Sequence, residues 1–167
     1  MCNFVKMKSR ENILKLLSQI PDPEIPVISI VELGVIRDVK SNGTAVEVTI
    51  TPTYSGCPAM KQMEDDVVKK LRDHGFEEVK IHTCYSPAWT TDWLSDEAKE
   101  KLRHYGIAPP GEKTTDKSFI TGRPRQVACP RCKSRSTKMI SQFGSTACKA
   151  LYQCNDCLEP FDYFKCI

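Results

Sequence analysis

Residues 35–51, VIRDVKSNGTAVEVTIT, decide the fold of the N-terminal part of the chain. Two runs rich in β-branched residues, Val35–Val39 and Ala45–Thr51, flank Ser41-Asn42-Gly43. Asn-Gly tolerates the positive φ values of a tight hairpin turn, so the stretch predicts an antiparallel pair. In the second run Val46, Val48 and Ile50 alternate with Glu47, Thr49 and Thr51. That is the period of a strand with one face in a core and the other in water.

Upstream, Ser9 can cap a helix in which Ile13, Leu14, Leu16, Leu17 and Ile20 share one face, and Pro21 and Pro23 end it. The next stretch, DPEIPVISIVELG (22–34), reads as a loop and a short helical turn closed by Gly34. Downstream, the loop TPTYSG leads to Cys57-Pro58 and a helix with Met60, Met63, Val67, Val68 and Leu71 as its apolar stripe, stopped at Gly75. Glu78–Cys84 predicts a third strand. Ser95 then opens a helix with Asp96 and Glu97 where the helix dipole favours acids, and Gly106 closes it.

The expected fold is therefore α+β. A small α/β domain of order α-β-β-α-β-α fills residues 1–106, enough to bury one modest core. Residues 107–124, IAPPGEKTTDKSFITGRP, have the composition of a linker, and residues 125–167 form a β zinc ribbon.

The ribbon rests on Cys129-Pro-Arg-Cys132 and Cys154-Asn-Asp-Cys157. Two CxxC pairs let two thiolates grip each edge of a tetrahedral ion, and the residues between them suit a hairpin. With no ligand missing, the site predicts a closed, structural Zn2+, although an all-thiolate site also accepts iron. Such a short segment buries little core, so metal binding would supply part of its folding free energy. Six of the nine cysteines lie between 129 and 167. The spacing leaves open whether Cys148 joins the site, and it assigns no role to Cys2, Cys84 or Cys166.

Bulk composition narrows the function. Residues 1–106 carry 14 Lys/Arg and 16 Asp/Glu, and residues 125–167 carry 7 and 3. A tail at +4, reduced further by four thiolates around a divalent ion, is weak for a nucleic-acid footprint, so protein partners are expected and nucleic acid is not. No apolar run reaches the roughly 20 residues that span a bilayer. MCNFVKMKSR lacks the apolar core of an export signal, so a cytoplasmic protein is expected, with no membrane partner. In a reducing compartment CxxC pairs favour metal over disulfides.

Three further features carry candidate chemistry. Cys57 stands where a strand gives way to a helix and, with Pro58 as first helical residue, is the expected N-cap. Backbone N–H groups and the helix dipole would there favour an anionic sulfur able to accept metal; the plain alternative is a half-buried cap. Asp22 and Glu24 flank Pro23 in a loop, where paired acids most often cap the next turn. Trp89-Thr90-Thr91-Asp92-Trp93 holds both tryptophans, either as packing or as a partner surface.

These motifs are similar to a known family. Asp22-Pro23-Glu24, Leu33-Gly34-Val35-Ile36, Thr49-x-Thr51 and Gly56-Cys57-Pro58 resemble the SufT-like iron–sulfur assembly domain. Together with WTTDW, CPRC, FGSTACKALYQC and CLEPFDYFKC, they resemble the PaaD (PaaJ) family of subunits of bacterial phenylacetyl-CoA epoxidase, from about Pro21 to Ile167. The resemblance implies an accessory, non-catalytic role in aerobic phenylacetate catabolism, maturing an iron–sulfur cluster or metal centre in another epoxidase component. The iron–sulfur reductase is the favoured client. It also implies that Cys57 is the assembly cysteine, holding iron or a cluster transiently, that Asp22 and Glu24 form its acidic loop, and that Cys129, Cys132, Cys154 and Cys157 hold the ribbon metal. A non-catalytic scaffold in the same complex is the alternative. Catalytic parts are missing from the sequence: His74, His82 and His104 have no Glu three residues before them, and no G-x-G or C-x4-C-x2-C occurs.

Overall fold

A computed structural model describes residues 9–111 and 126–165. The chain forms two compact units, 1–95 and 96–167.

In the first unit, helix α1 (Arg10–Leu17) starts at Ser9, whose Oγ accepts the N–H of Asn12 at 3.3 Å. Its buried Ile13 and Leu17 are the expected stripe, but the helix ends at Leu17 and Ile20 is buried from the following turn. Residues 31–34 form the expected short turn, with Leu33 N–H bonded to Ser29 O and Gly34 N–H to Val31 O, closed by Gly34 at φ +78°.

Strands β1 (Ile36–Asn42) and β2 (Ala45–Ile50) make the hairpin. Asn42 pairs with Ala45, so Gly43 at φ +62° and Thr44 are the turn, one step later than Ser41-Asn42-Gly43. A bulge between Ile36 and Asp38 absorbs the difference in register. Helix α2 (Ala59–Asp73) carries β2 over to the parallel strand β3 (Glu78–Thr83), giving the sheet order β1-β2-β3. Met63, Val67 and Leu71 of α2 and Val46, Val48 and Ile50 of β2 are buried, whereas Lys40, Glu47, Lys80 and His82 leave the opposite sheet face polar and exposed.

The segment 85–95 belongs to this unit. Trp89 is buried and its Nε1–H donates to the Leu33 carbonyl at 2.9 Å. Arg37 lies 3.5 Å above the ring of half-buried Trp93. A Cβ on Gly34 would stand 2.9 Å from the Trp93 Cβ, so the WTTDW segment packs against the Leu33-Gly34 turn. Packing is the reading of the two that its contacts favour.

The second unit contains helix α3 (Asp96–Tyr105) and strands β4 (Ile107–Ala108), β5 (Thr137–Ser141), β6 (Lys149–Cys154) and β7 (Pro160–Phe164). Its sheet order is β4-β7-β6-β5, with β4 parallel to β7 and the other pairs antiparallel. Asp96 and Glu97 occupy the first turn of α3, and Gly106 closes it at φ +93°. Residues 107 and 108, expected as the start of a linker, are therefore a strand, and α3 groups with the ribbon rather than with residues 1–95. A two-residue strand of Ile and Ala before Pro109-Pro110 has no periodicity to reveal it. The rest of the expected linker, from 112 to 124, lies outside the described residues, as do Cys2 and Cys166. Among the described residues no helix is long and apolar enough to cross a membrane.

Candidate metal centre and thiol site

Cys129, Cys132, Cys154 and Cys157 bring their Sγ atoms within 4.8 Å of one another. Across the two pairs, Cys129 and Cys157 lie 3.8 Å apart and Cys132 and Cys154 3.5 Å apart. Four sulfurs at about 2.3 Å from a tetrahedral zinc are separated by about 3.8 Å, so the donors fit the ion.

The two pairs are built alike. In each, the first cysteine's N–H reaches the carbonyl five residues on: Cys129 N–H to Ser134 O at 2.9 Å, Cys154 N–H to Glu159 O at 3.0 Å. The residue after the second cysteine takes the left-handed conformation, Lys133 at φ 63° and Leu158 at φ 62°. These two residues were not evident from the sequence. Glycine is the usual occupant of such a φ, and neither Lys nor Leu signals it. The first cysteine of each pair is buried and the second exposed, so the ion would sit between the ribbon core and solvent. That core is Val127, Ala150, Tyr152, Phe161 and Tyr163 with Ala108, and Met139 packs on it.

Backbone donors favour thiolate here. The Cys154 thiol is pulled down to about 7, first by the N–H of Cys157 and then, against burial, by the N–H of Asp156 and the thiols of Cys132 and Cys157. The N–H of Ser134 acts in the same direction on Cys132, but the Cys154 thiol, burial and the other two thiols outweigh it and raise that group to about 12. Four crowded sulfurs cannot all carry charge without a cation, and a divalent ion takes the place of the protons they would share. Cys148 lies outside the four-sulfur group; it is buried, with Sγ 3.0 Å from the Thr146 hydroxyl.

Cys57 lies in the first unit, at the end of the loop from β2 to α2, and is 8% exposed. Its expected place as N-cap is corrected by one residue: the cap is Pro58, in helical conformation and with no side-chain cap bond. The physical cause is visible in the hydrogen bonds. The Met60 N–H, which a side-chain cap at 57 would bind, goes instead to the Cys57 carbonyl at 3.3 Å, and the Cys57 N–H turns back to Tyr54 O at 3.3 Å. Gly56, at φ +83°, makes that turn. Thr51 and Thr53 of the same loop are also buried.

Asp22 is 3% exposed, and its Oδ1 accepts the N–H groups of Glu24 at 2.9 Å and Ile25 at 2.6 Å. It thus caps its own turn, while Glu24 is half-buried. Among the described residues the two acids and Cys57 do not converge as a set of metal donors in the way the four ribbon cysteines do. Cys84 continues β3, its N–H bonded to Ile50 O at 2.8 Å and its Sγ donating to Ser86 O at 2.9 Å.

Comparison with known proteins follows the same division. Residues 10–82 match the model of an iron–sulfur cluster assembly protein, and residues 113–165 match the PaaD zinc beta ribbon domain. The chain is 51% identical, over 91% of its length and 90% of the relative's, to a protein of Escherichia coli K12 provisionally named as one of the subunits of 1,2-phenylacetyl-CoA epoxidase. The chain belongs to the PaaD family. A PaaD-family chain thus joins a four-cysteine ribbon to an assembly domain that also occurs separately. The iron–sulfur protein maturation auxiliary factor YitW of Bacillus subtilis is 37% identical over 56% of this chain and 92% of its own. The crystal structure of a domain of unknown function, DUF59, from Bacillus anthracis is 29% identical over 56% of this chain and 90% of its own, with a TM-score of 0.52.

Proposed function

We propose that this chain is a non-catalytic maturation factor of phenylacetyl-CoA epoxidase. It receives iron or an iron–sulfur cluster as cargo at Cys57 and delivers it to the iron–sulfur reductase component, while a structural zinc holds the ribbon. The observation that carries the reading is the pairing, in one chain, of an assembly domain with a nearly buried thiol beside a helix start and a ribbon of the family named for the epoxidase system.

Cys57 contributes a soft donor from a loop whose backbone is pinned on both sides, by Tyr54 O and by the Met60 N–H. Asp22 serves the site indirectly, by holding the DPEI turn in shape. Zinc suits the ribbon because four thiolates close its coordination sphere and leave no open position for chemistry.

The test is co-expression of the chain with the reductase, followed by measurement of iron and acid-labile sulfide in the purified reductase. Cys57→Ser and Cys57→Ala should leave the client poorly loaded, and wild type should load it. Full loading with both variants would make Cys57 a structural residue and favour a scaffold. Because the side chain is buried, circular dichroism of both variants must first show the native fold.

A further inference from the structure

Strand alternation gives the ribbon sheet two faces. The pairs Tyr152–Phe161 and Ala150–Tyr163 of β6 and β7 face the core. The alternate pairs, Leu151–Asp162, Gln153–Pro160 and the buried Lys149–Phe164, point the other way, and Lys138 of β5 is opposite Gln153 at the exposed end of this face. This outer face carries a shallow hollow bordered by Phe143, Leu151, Pro160 and Asp162. Phe143 is 66% exposed and Leu158, two residues before Pro160, is 67% exposed.

We propose that this outer face is a docking surface for an acidic protein segment bearing an apolar anchor, and that through it the chain engages an epoxidase component. The inference rests on the maturation reading above and names the surface that reading lacks.

Charge carries it. The acids near the hollow are already engaged: Asp162 accepts the Ser145 hydroxyl at 2.8 Å and faces Lys149 at 3.9 Å, and Glu159 pairs with Arg131 at 2.7 Å. Neither nearby lysine has a carboxylate partner among the described residues: Lys138 makes no ion pair, and half-buried Lys165 stands 4.7 Å over the Phe143 ring with its Nζ donating to the Gln142 carbonyl. An apolar hollow with an uncompensated lysine toward each side complements a segment of carboxylates around an apolar side chain. A second copy of the chain would bring lysine against lysine.

The test uses the full-length, metal-loaded chain and the separately purified reductase and oxygenase components, with binding followed by biolayer interferometry at low and high salt. Phe143→Ala and Leu158→Asn should each weaken binding about tenfold or more. Both side chains are exposed and Asn tolerates the left-handed region, so folding is retained. Lys138→Glu should mainly slow association and flatten its salt dependence. Wild-type affinity in all three variants overturns the docking surface while leaving the maturation reading intact. Tighter binding to an oligonucleotide than to either component, or self-association abolished by Phe143→Ala, also overturns it. Wild type that binds neither component and does not alter cluster loading overturns the maturation reading itself.

Discussion

Removing the ribbon metal should unfold the second unit and spare the first. The perturbation is chelation, or Cys154→Ser. Structural zinc sites contribute on the order of 10 kcal/mol or more of apparent folding free energy. A unit of this size has a net stability of about 7 kcal/mol, taking roughly 0.1 kcal/mol per residue. The loss exceeds the reserve. Cys154 is fully buried beside Tyr152 and Phe161, so its replacement also leaves a hydroxyl in the core. Strand β4 pairs with β7, so β4 should be lost together with the β5–β7 sheet, and α3, which packs on β4, should fray. The tryptophans make the assay selective, because Trp89 and Trp93 both lie in residues 1–95. Of the five tyrosines, Tyr105, Tyr152 and Tyr163 lie in the other unit, and Tyr54 and Tyr85 in the first. On chelation the near-ultraviolet dichroism should lose the contribution of those three tyrosines while tryptophan emission stays at its native wavelength. Emission that shifts red in step with the tyrosine signal would refute the independence of the two units. A near-ultraviolet spectrum unchanged by complete metal removal would refute the metal's role in folding.

Three further outcomes are expected. Gly34→Ala should cost roughly 2–4 kcal/mol in urea unfolding followed by tryptophan emission, because it combines φ +78° with a Cβ 2.9 Å from the Trp93 Cβ; a neutral variant would mean that the WTTDW packing yields easily. Lys133→Gly should raise the thermal midpoint of the metal-loaded ribbon, relieving up to about 1 kcal/mol of left-handed strain, whereas a fall would mean that the lysine side chain offsets that cost. Ribbon metal affinity, measured by competition with a chromophoric chelator, should fall as pH drops through about 7. The Cys132 thiol, raised to about 12 against the N–H of Ser134 by the neighbouring thiols, competes with the ion throughout this range. The Cys154 thiol, held down to about 7 by the N–H of Cys157, is thiolate above 7 and takes up a proton below it, so the fall steepens there. Affinity unchanged between pH 8 and pH 6 would refute that competition.

How much of this was legible depended on whether a residue's role was local. The alternation of Val46, Val48 and Ile50 and the convergence of the two CxxC pairs are local patterns found as read, and of the α2 stripe Met63, Val67 and Leu71 are buried while Met60 and Val68 are half-buried. The turn slipped by one residue because Asn42-Gly43 and Gly43-Thr44 both offer a left-handed glycine, and the choice is made by the β1–β2 register. Strand β4 depends wholly on a partner more than 50 residues away, Asp162 and Tyr163 of β7, and two residues cannot announce that. Cys57 was misplaced by one position because Pro58 suits both the cap and the first turn. Only the use of the Met60 N–H by the Cys57 carbonyl separates the two. The capping role of Asp22, in contrast, follows from a local rule, Asx oxygen to the N–H groups two and three residues on, and was readable.

The cysteines of this chain divide by the number of donors that converge with them, and that number governs how firmly a metal is held. In the ribbon four sulfurs converge within 4.8 Å, and a backbone hydrogen-bond loop closes each cysteine pair. An ion there is surrounded by soft donors with no vacant position, and its release requires the unit to open. Cys57 is not part of any group of three or more such donors among the described residues. A metal or cluster received at Cys57 would therefore draw most of its ligands from small molecules or from the client, which can be exchanged without unfolding. Under the proposed function the chain keeps one metal and passes on another, and the two arrangements fall in different compact units. Adding ligands at the transfer site should therefore impair function: a variant that introduced further cysteines beside Cys57 would retain iron more tightly and load the client less.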